Sequence, residues 1–414
     1  MVLGFVAGQL VIAFVLTPLF YRMELVSIYG YLEKRFGVSA YQTGAWFFFV
    51  SKMLGAAVRL YLVCAVLQFL VFGPWGVPFA LNVLFSILVV WLYTFRGGVK
   101  SLVWTDSLKT FCLVMSLFLT IYYIADGLQL DWGGLVAMVG DSPMSRVFFF
   151  DDVDDGRYFF KQFLAGAFTM VAMNGLDQDM MQRNLSCRNY RDSQKNMMVS
   201  ILLQSVVILS FLILGVLLYA FAERRGIPLP SKSDELFPMI ATGGYFPVAV
   251  GVLFVVGLVS SAYSAAGSAL TALTTSFSVD ILRVEKYVSE GQAVRIRKRV
   301  HAGMAVLMGC TVLVFNFLNN TSVINAVYTL VSYTYGPILG LFAFGFFVRL
   351  RVRGKFIPFV AVLSPLLCLV LDVNSERWLG GYSFSYEILI LNALFTFLGC
   401  CLLMKRKNVV NVGL

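Results

Sequence analysis

GLVSSAYSAAGSALTALTTSFSVD, Gly257 to Asp280, lies in an apolar run that starts near Phe246 and reads as a membrane helix. Its hydroxyls recur at steps of three and four: Ser260, Ser261, Ser264, Ser268, Thr271, Thr275 and Ser278. That spacing puts them on one helical face, opposite Leu258, Val259, Ala262, Ala266, Ala269, Ala272 and Leu273. An unpaired hydroxyl is costly in hydrocarbon, so such a stripe needs a partner. Two partners suit it. One is another helix, because Gly, Ala, Ser and Thr let two backbones approach closely. The other is a small hard cation, for which hydroxyl and carbonyl oxygens are ligands.

Composition sets the frame for the rest. Of 414 residues, 59% are hydrophobic and 13% charged. Soluble domains hold roughly 45–50% apolar and about 25% charged residues, so this is an integral membrane protein without room for a large soluble domain. The formal charge of +10 points to cytoplasmic loops rather than to nucleic acid. Six of the seven cysteines lie in apolar spans, Cys187 lies in a basic loop, and none forms a CxxC pair. Neither a disulfide framework nor a zinc site follows. The one histidine, His301, follows the basic run RIRKR and reads as a solvated loop-end residue. One histidine and no nucleophile motif argue against an enzyme.

A span needs about 20 apolar residues. Eleven are expected: 2–22, 40–72, 78–96, 102–126, 157–178, 197–222, 245–278, 300–318, 321–349, 356–373 and 384–404. The fold class is thus all-α, a polytopic membrane helix bundle. One set of alternate loops carries 22 of the 32 Lys and Arg residues and the other set carries 7. The positive-inside rule then places the N-terminus outside and the C-terminus in the cytoplasm. Met1 has no basic region after it and no evident cleavage site, so no removable signal peptide is read. The expected location is the cytoplasmic (inner) membrane, with the lipid bilayer and a small solute as partners and no nucleic acid.

Ionisable and polar groups inside spans are functional candidates. Span one carries Gln9, and span two carries Lys52 and Arg59, seven residues apart. Lys52 can snorkel toward the cytoplasmic side on its long stem. The Arg59 guanidinium is a planar fork suited to a carboxylate, supplied either by a solute or by an acidic residue of another helix. In span nine, Gly336-Pro337 should bend the helix. Tyr328, Tyr333 and Tyr335 beside it read as vestibule-lining or interface aromatics.

Several motifs, in matching order from Leu32 to about Gly345, resemble the sodium:solute symporter family, which includes sodium/glucose, sodium/proline and sodium/sialic-acid cotransporters. SSAYSAAGSALTALTTSFSVDIL resembles its eighth core helix. Leu32, Lys34, Arg35, Phe36 and Gly37 match the link before its third core helix. Gly97, Gly98, Trp104, Thr105 and Asp106 match the start of its fifth. Asp177, Gln178, Gln182 and Arg183 match its sixth, which is unwound just before them, here at Asn174 and Gly175. The chain departs at Gly267, where the family usually has a polar residue, and at Lys109, where it often has Gln.

The resemblance implies a sodium site at Ser260, Ser261 and the Gly257 carbonyl, and a candidate second sodium site at Asp106 and Ser264. Lys109, one turn from Asp106, can pair with it and mimic or compete with a cation. Gln9, Arg59, Asn174, Asp177 and Gln178 become substrate-binding candidates. The implied core is two inverted five-helix repeats. Here 1–126 forms the remainder of the first repeat, 157–349 the second, and 350–414 accessory helices. Span one already resembles the family's second core helix, so the first repeat is incomplete and the first two transmembrane helices are expected to be lacking. Sodium-coupled symport of a small polar organic solute is the leading expectation, and a carboxylate solute is favoured if Arg59 faces the cavity. The alternative is an N-terminally truncated, non-transporting relic or membrane sensor.

Overall fold

Long apolar runs become long helices in the computed structural model, which describes the backbone of residues 1–23, 27–231, 233–284, 288–318 and 323–409 and, apart from 96–105, 324 and 405–409, their side chains. The first span is α1 (Val2–Val11), a π-helical turn (Ile12–Leu16) and α2 (Thr17–Met23). Then come α3 (Gly30–Phe36), α4 (Val38–Leu67), α5 (Phe79–Gly127) and the short α6 (Trp132–Gly140). The middle of the chain forms α7 (Phe159–Met170), α8 (Gln178–Leu185), α9 (Tyr190–Arg225), α10 (Leu236–Thr242) and α11 (Val248–Ser276). It closes with α12 (Glu290–Leu318), α13 (Val323–Thr334), α14 (Gly336–Phe347), α15 (Ile357–Val373), α16 (Ser375–Trp378) and α17 (Ile388–Leu402). A two-stranded antiparallel ribbon, β1 (Leu350–Val352) with β2 (Met404–Val409), ties the segment after α14 to the segment after α17.

Among the described residues, seven helices are long and apolar enough to cross a membrane, and a pair bent by 46° at Tyr335 makes an eighth. Phe79–Phe95 and Ile388–Leu402 are shorter apolar helices, and α7 with α8 fills the remaining expected span. The bend falls where the sequence predicts it. Gly336 and Pro337 open α14, and proline at a first helical turn gives up no hydrogen bond.

The two described stretches of α5, Phe79–Phe95 and Asp106–Gly127, run in opposite directions along α11. In the first half, Ser86 meets the Tyr263 hydroxyl, and Thr94, further along, meets His301, which in turn meets Thr274. In the second half, Asp106 accepts from Ser264 and Leu113 packs on Gly257. The direction along α11 is therefore reversed between Phe95 and Asp106, and α5 serves as the two expected spans.

Close approaches draw the core together. A Cβ on Gly4 or Gly8 of α1 would meet the Phe163 carbonyl at 2.1 Å or the Ala167 carbonyl at 2.4 Å, so the i, i+4 glycine pair seats α1 on α7. Tyr29, Tyr31, Phe20, Phe48, Phe342 and Phe344 fill the main core. A second core joins the far half of α5 to α9 and α10 through Leu117, Ile124, Leu217 and Phe221. Arg35 of the short link is buried and donates to the carbonyls of Val348 and Leu350, clamping α3 to the end of α14.

Candidate functional site

Three features meet around the α7–α8 break: the broken helix itself, a layer of buried charge beneath it, and a cavity above. The break has a local cause. After α7 the chain makes a π-helical turn over Val171–Gly175, and Leu176 and Asp177 leave helical geometry. Asp177 then caps α8, its side chain accepting from the Met180 amide at 3.1 Å. The interruption expected at Asn174 and Gly175 is thus present. It frees backbone carbonyls, and the Tyr29 hydroxyl donates to that of Leu176 at 3.0 Å.

Beneath the break, Lys52 of α4 does not snorkel to the surface. Its ammonium is buried, 3.1 Å from both oxygens of Asp177 and 3.0 Å from Asp179. Tyr335, at the bend, donates to Asp177 at 2.9 Å. Ser268 of α11 donates to Asp179 at 3.0 Å and accepts from Arg183, which also pairs with Asp179 at 3.4 Å. This network joins α4, α8, α11 and the α13–α14 bend in one layer. Asp177 faces that layer. Gln178 accepts from the Ile28 amide at 2.8 Å and so faces the link before α3.

The cavity above has a volume of about 410 Å³ and is walled by α1, α4, the π turn, α9 and the start of α13. Arg59, Asn174, Thr169, Gln204, Asp234 and Tyr328 give it polar lining, and Phe5, Leu62, Met170 and Val327 give it apolar lining. Arg59 is exposed to this space and forms no hydrogen bond or ion pair with a described residue, so the partner carboxylate on another helix is not found. Tyr328 lines the cavity, Tyr335 is buried against Asp177, and Tyr333 turns away to Asp372 at 2.5 Å. Gln9 is buried on α1, and its Oε1 has no hydrogen-bond partner.

The hydroxyl stripe divides into three groups. Ser264 and Ser268 go to the carboxylates of Asp106 and Asp179. Thr271 turns back to the Gly267 carbonyl of its own helix at 2.9 Å, and Thr275 is exposed. Ser260 and Ser261, half-buried, and Ser278, fully buried, form no hydrogen bond with a described residue. Gly257 lets α5 approach, since a Cβ there would meet the Leu113 amide nitrogen at 2.9 Å. Asp106 and Ser264 do come together, and the Lys109 ammonium lies 2.7 Å from the same carboxylate. The side chains of Trp104 and Thr105 in that motif, and positions 97 and 98, fall outside the described side chains.

Two residues correct the sequence reading. The space beside Gly267 is filled from α5: a Cβ there would lie 1.7 Å from the Tyr93 hydroxyl oxygen, which donates to the Tyr263 carbonyl at 2.5 Å. A polar side chain at 267 is therefore replaced by the tip of a tyrosine. His301 is buried rather than solvated, with one ring nitrogen 3.0 Å from Thr94 and the other 3.1 Å from Thr274. Asp234 is a functional candidate that sequence reasoning missed. It lies in the loop between α9 and α10, and nothing local marks it.

The chain is 25% identical over 371 residues to the sodium/sialic acid symporter NanT of Aliivibrio fischeri, covering 87% of this chain and 70% of that protein. It is 25% identical to sodium-coupled monocarboxylate transporter 2 of Danio rerio, covering 89% of this chain and 58% of the relative. Against the human sodium/iodide cotransporter it is 24% identical, covering 84% of this chain and 54% of the relative. In fold it is similar to a solved substrate-bound outward-open Na+-coupled sialic acid symporter, with TM-score 0.74 and 18% identity, covering 97% of this chain and 84% of that one. The model of the sodium:solute symporter family matches residues 1–361, and the chain belongs to that family of membrane transporters rather than to any class of enzyme.

Proposed function

We propose that this protein carries a small carboxylate-bearing organic solute across the cytoplasmic membrane, coupled to sodium. The observation that carries the reading is the Arg59 guanidinium, which is exposed to a cavity beside a broken helix and forms no ion pair with a described carboxylate. A planar guanidinium without an internal counter-charge suits a solute carboxylate in bidentate contact. The Asn174 amide and Thr169 hydroxyl add hydrogen-bonding groups on the same wall. Relatives named for sialic acid and monocarboxylates support an acidic solute.

For sodium, Ser260 and Ser261 are adjacent, half-buried stripe hydroxyls without a hydrogen bond to a described residue, and with the Gly257 carbonyl they supply part of an oxygen shell. Asp106 with Ser264 is a second cation position in which the Lys109 ammonium already takes the place of an ion. The basic loops support an outside N-terminus and a cytoplasmic C-terminus. Cavity lining from the exterior turn at Asp234 and sealing at the Lys52 layer support an outward-facing state. A non-transporting relic is the second reading, favoured by the Lys109 ammonium, which lies 2.7 Å from Asp106 in a candidate cation position.

The test is uptake of labelled propionate into vesicles under an inward sodium gradient. Propionate should accumulate only with sodium, and Arg59→Lys should impair uptake because the fork is lost. Normal uptake at low substrate by both Arg59→Lys and Arg59→Gln would sink the proposal. Absence of sodium-driven uptake by the unaltered chain, with sodium stabilisation also absent, would favour the relic.

A further inference from the structure

The cavity has a second charged wall residue, Asp234, in the 3-10 turn Ser233–Glu235 that leads into α10. Its Oδ2 accepts from the Val323 amide at 3.1 Å, which fixes the carboxylate at the N-terminus of α13. Asp234 forms no ion pair with Arg59 or with another described residue. One cavity therefore presents a fixed cation and a fixed anion on walls contributed by different elements, with Phe5, Leu62 and Val327 among the apolar groups around them.

We propose that the solute is a small zwitterion of the amino-acid or betaine class, with its carboxylate at Arg59 and its cationic nitrogen at Asp234. This rests on the carboxylate reading above and adds to it a residue that selects the substrate. A plain monocarboxylate would satisfy Arg59 and leave Asp234 facing the bound anion without a counter-charge. A plain cation would do the reverse. A molecule bearing both charges matches the wall potentials at both ends, and mismatched charge across a desolvated contact is what suppresses wrong ligands. Size agrees, because a cavity of about 410 Å³ is near the small end of ligand pockets, which run about 300–1,000 Å³. Gln204 and Asn174 remain to hydrogen-bond what the two charges leave.

The experiment uses the full chain in nanodiscs with sodium present and measures binding of matched probes. L-Alanine is paired with propionate, and glycine betaine with 3,3-dimethylbutyrate, its shape mimic without the charge on nitrogen. The unaltered protein should bind the zwitterion of at least one pair about tenfold or more tighter than its anionic mimic. Asp234→Asn keeps an oxygen for the Val323 amide, and it should bring that ratio close to one by weakening the zwitterion alone. Arg59→Gln should weaken both members of the pair. If Asp234→Asn lowers both members equally, or the unaltered protein binds the mimics as well as the zwitterions, or it binds no member of the panel, the zwitterion assignment is overturned. If Arg59→Gln leaves both members unchanged, the carboxylate reading itself has failed. Loss of both with Arg59→Gln and an unchanged ratio with Asp234→Asn would leave the carboxylate reading standing without the zwitterion.

Discussion

Replacing Lys52 by Met removes one cation from between two buried carboxylates. In the native layer the ammonium makes three contacts of 3.0 to 3.1 Å, and the Lys52 and Asp177 side chains are 9% and 5% exposed. Breaking a buried ion pair by removing one partner costs about 3–5 kcal/mol, because the other charge is stranded. Here two carboxylates are stranded side by side, and only Asp179 keeps a second cation, Arg183. Unfolding entropy of about 2.1 cal/mol/K per residue makes 1 kcal/mol worth about 1 °C in a 414-residue chain, so the single variant should melt about 3–6 °C lower. The triple variant Lys52→Met, Asp177→Asn, Asp179→Asn removes the stranded charge while keeping acceptors for Tyr335, Ser268 and the Met180 amide. It should recover most of the loss, since neutral replacement of a whole buried ionic group is often close to neutral. Melting curves of the purified protein in one detergent, read from the monodisperse fraction, make the comparison. A single variant within 1 °C of the parent, or a triple variant less stable than the single, would refute the view that Lys52 neutralises this layer.

Gly267→Ala should cost about 1–3 kcal/mol by overpacking against Tyr93, and adding Tyr93→Leu should relieve part of it; melting points of the two variants decide. Ser261→Ala should shift the sodium activation of uptake to higher concentration, and an unchanged sodium dependence would leave this hydroxyl a packing group.

Much of the bundle was readable because its causes are local. Apolar run length predicts the spans and Gly336-Pro337 the bend, while the break at Asn174-Gly175 is implied by the resemblance of Asp177, Gln178, Gln182 and Arg183 to the family's sixth core helix. The partners of polar groups were harder, because they are set by packing between distant segments. Lys52 announces a need for a counter-charge but not that Asp177 and Asp179, 125 and 127 positions away, supply it. His301 follows a basic run and reads as loop, yet α12 starts at Glu290 and carries it eleven residues into a helix, onto a face covered by Thr94 and Thr274. Periodicity recovered the hydroxyl face of α11 without saying which hydroxyls are already occupied. It also passed over Thr274, which lies beside the stripe and holds His301.

The charged layer under the cavity holds as many cations as anions: Lys52 and Arg183 against Asp177 and Asp179. Moving one elementary charge through the membrane potential involves about 2.3 kcal/mol per 100 mV. Displaced together, these four side chains carry no net charge and do no electrical work. Rearranging the layer is then indifferent to voltage, and the electrical sensitivity of a transport cycle falls on what passes through. A zwitterion accompanied by one sodium ion moves one positive charge and is pulled inward by a negative interior, whereas a monocarboxylate with one sodium ion gains nothing from that field.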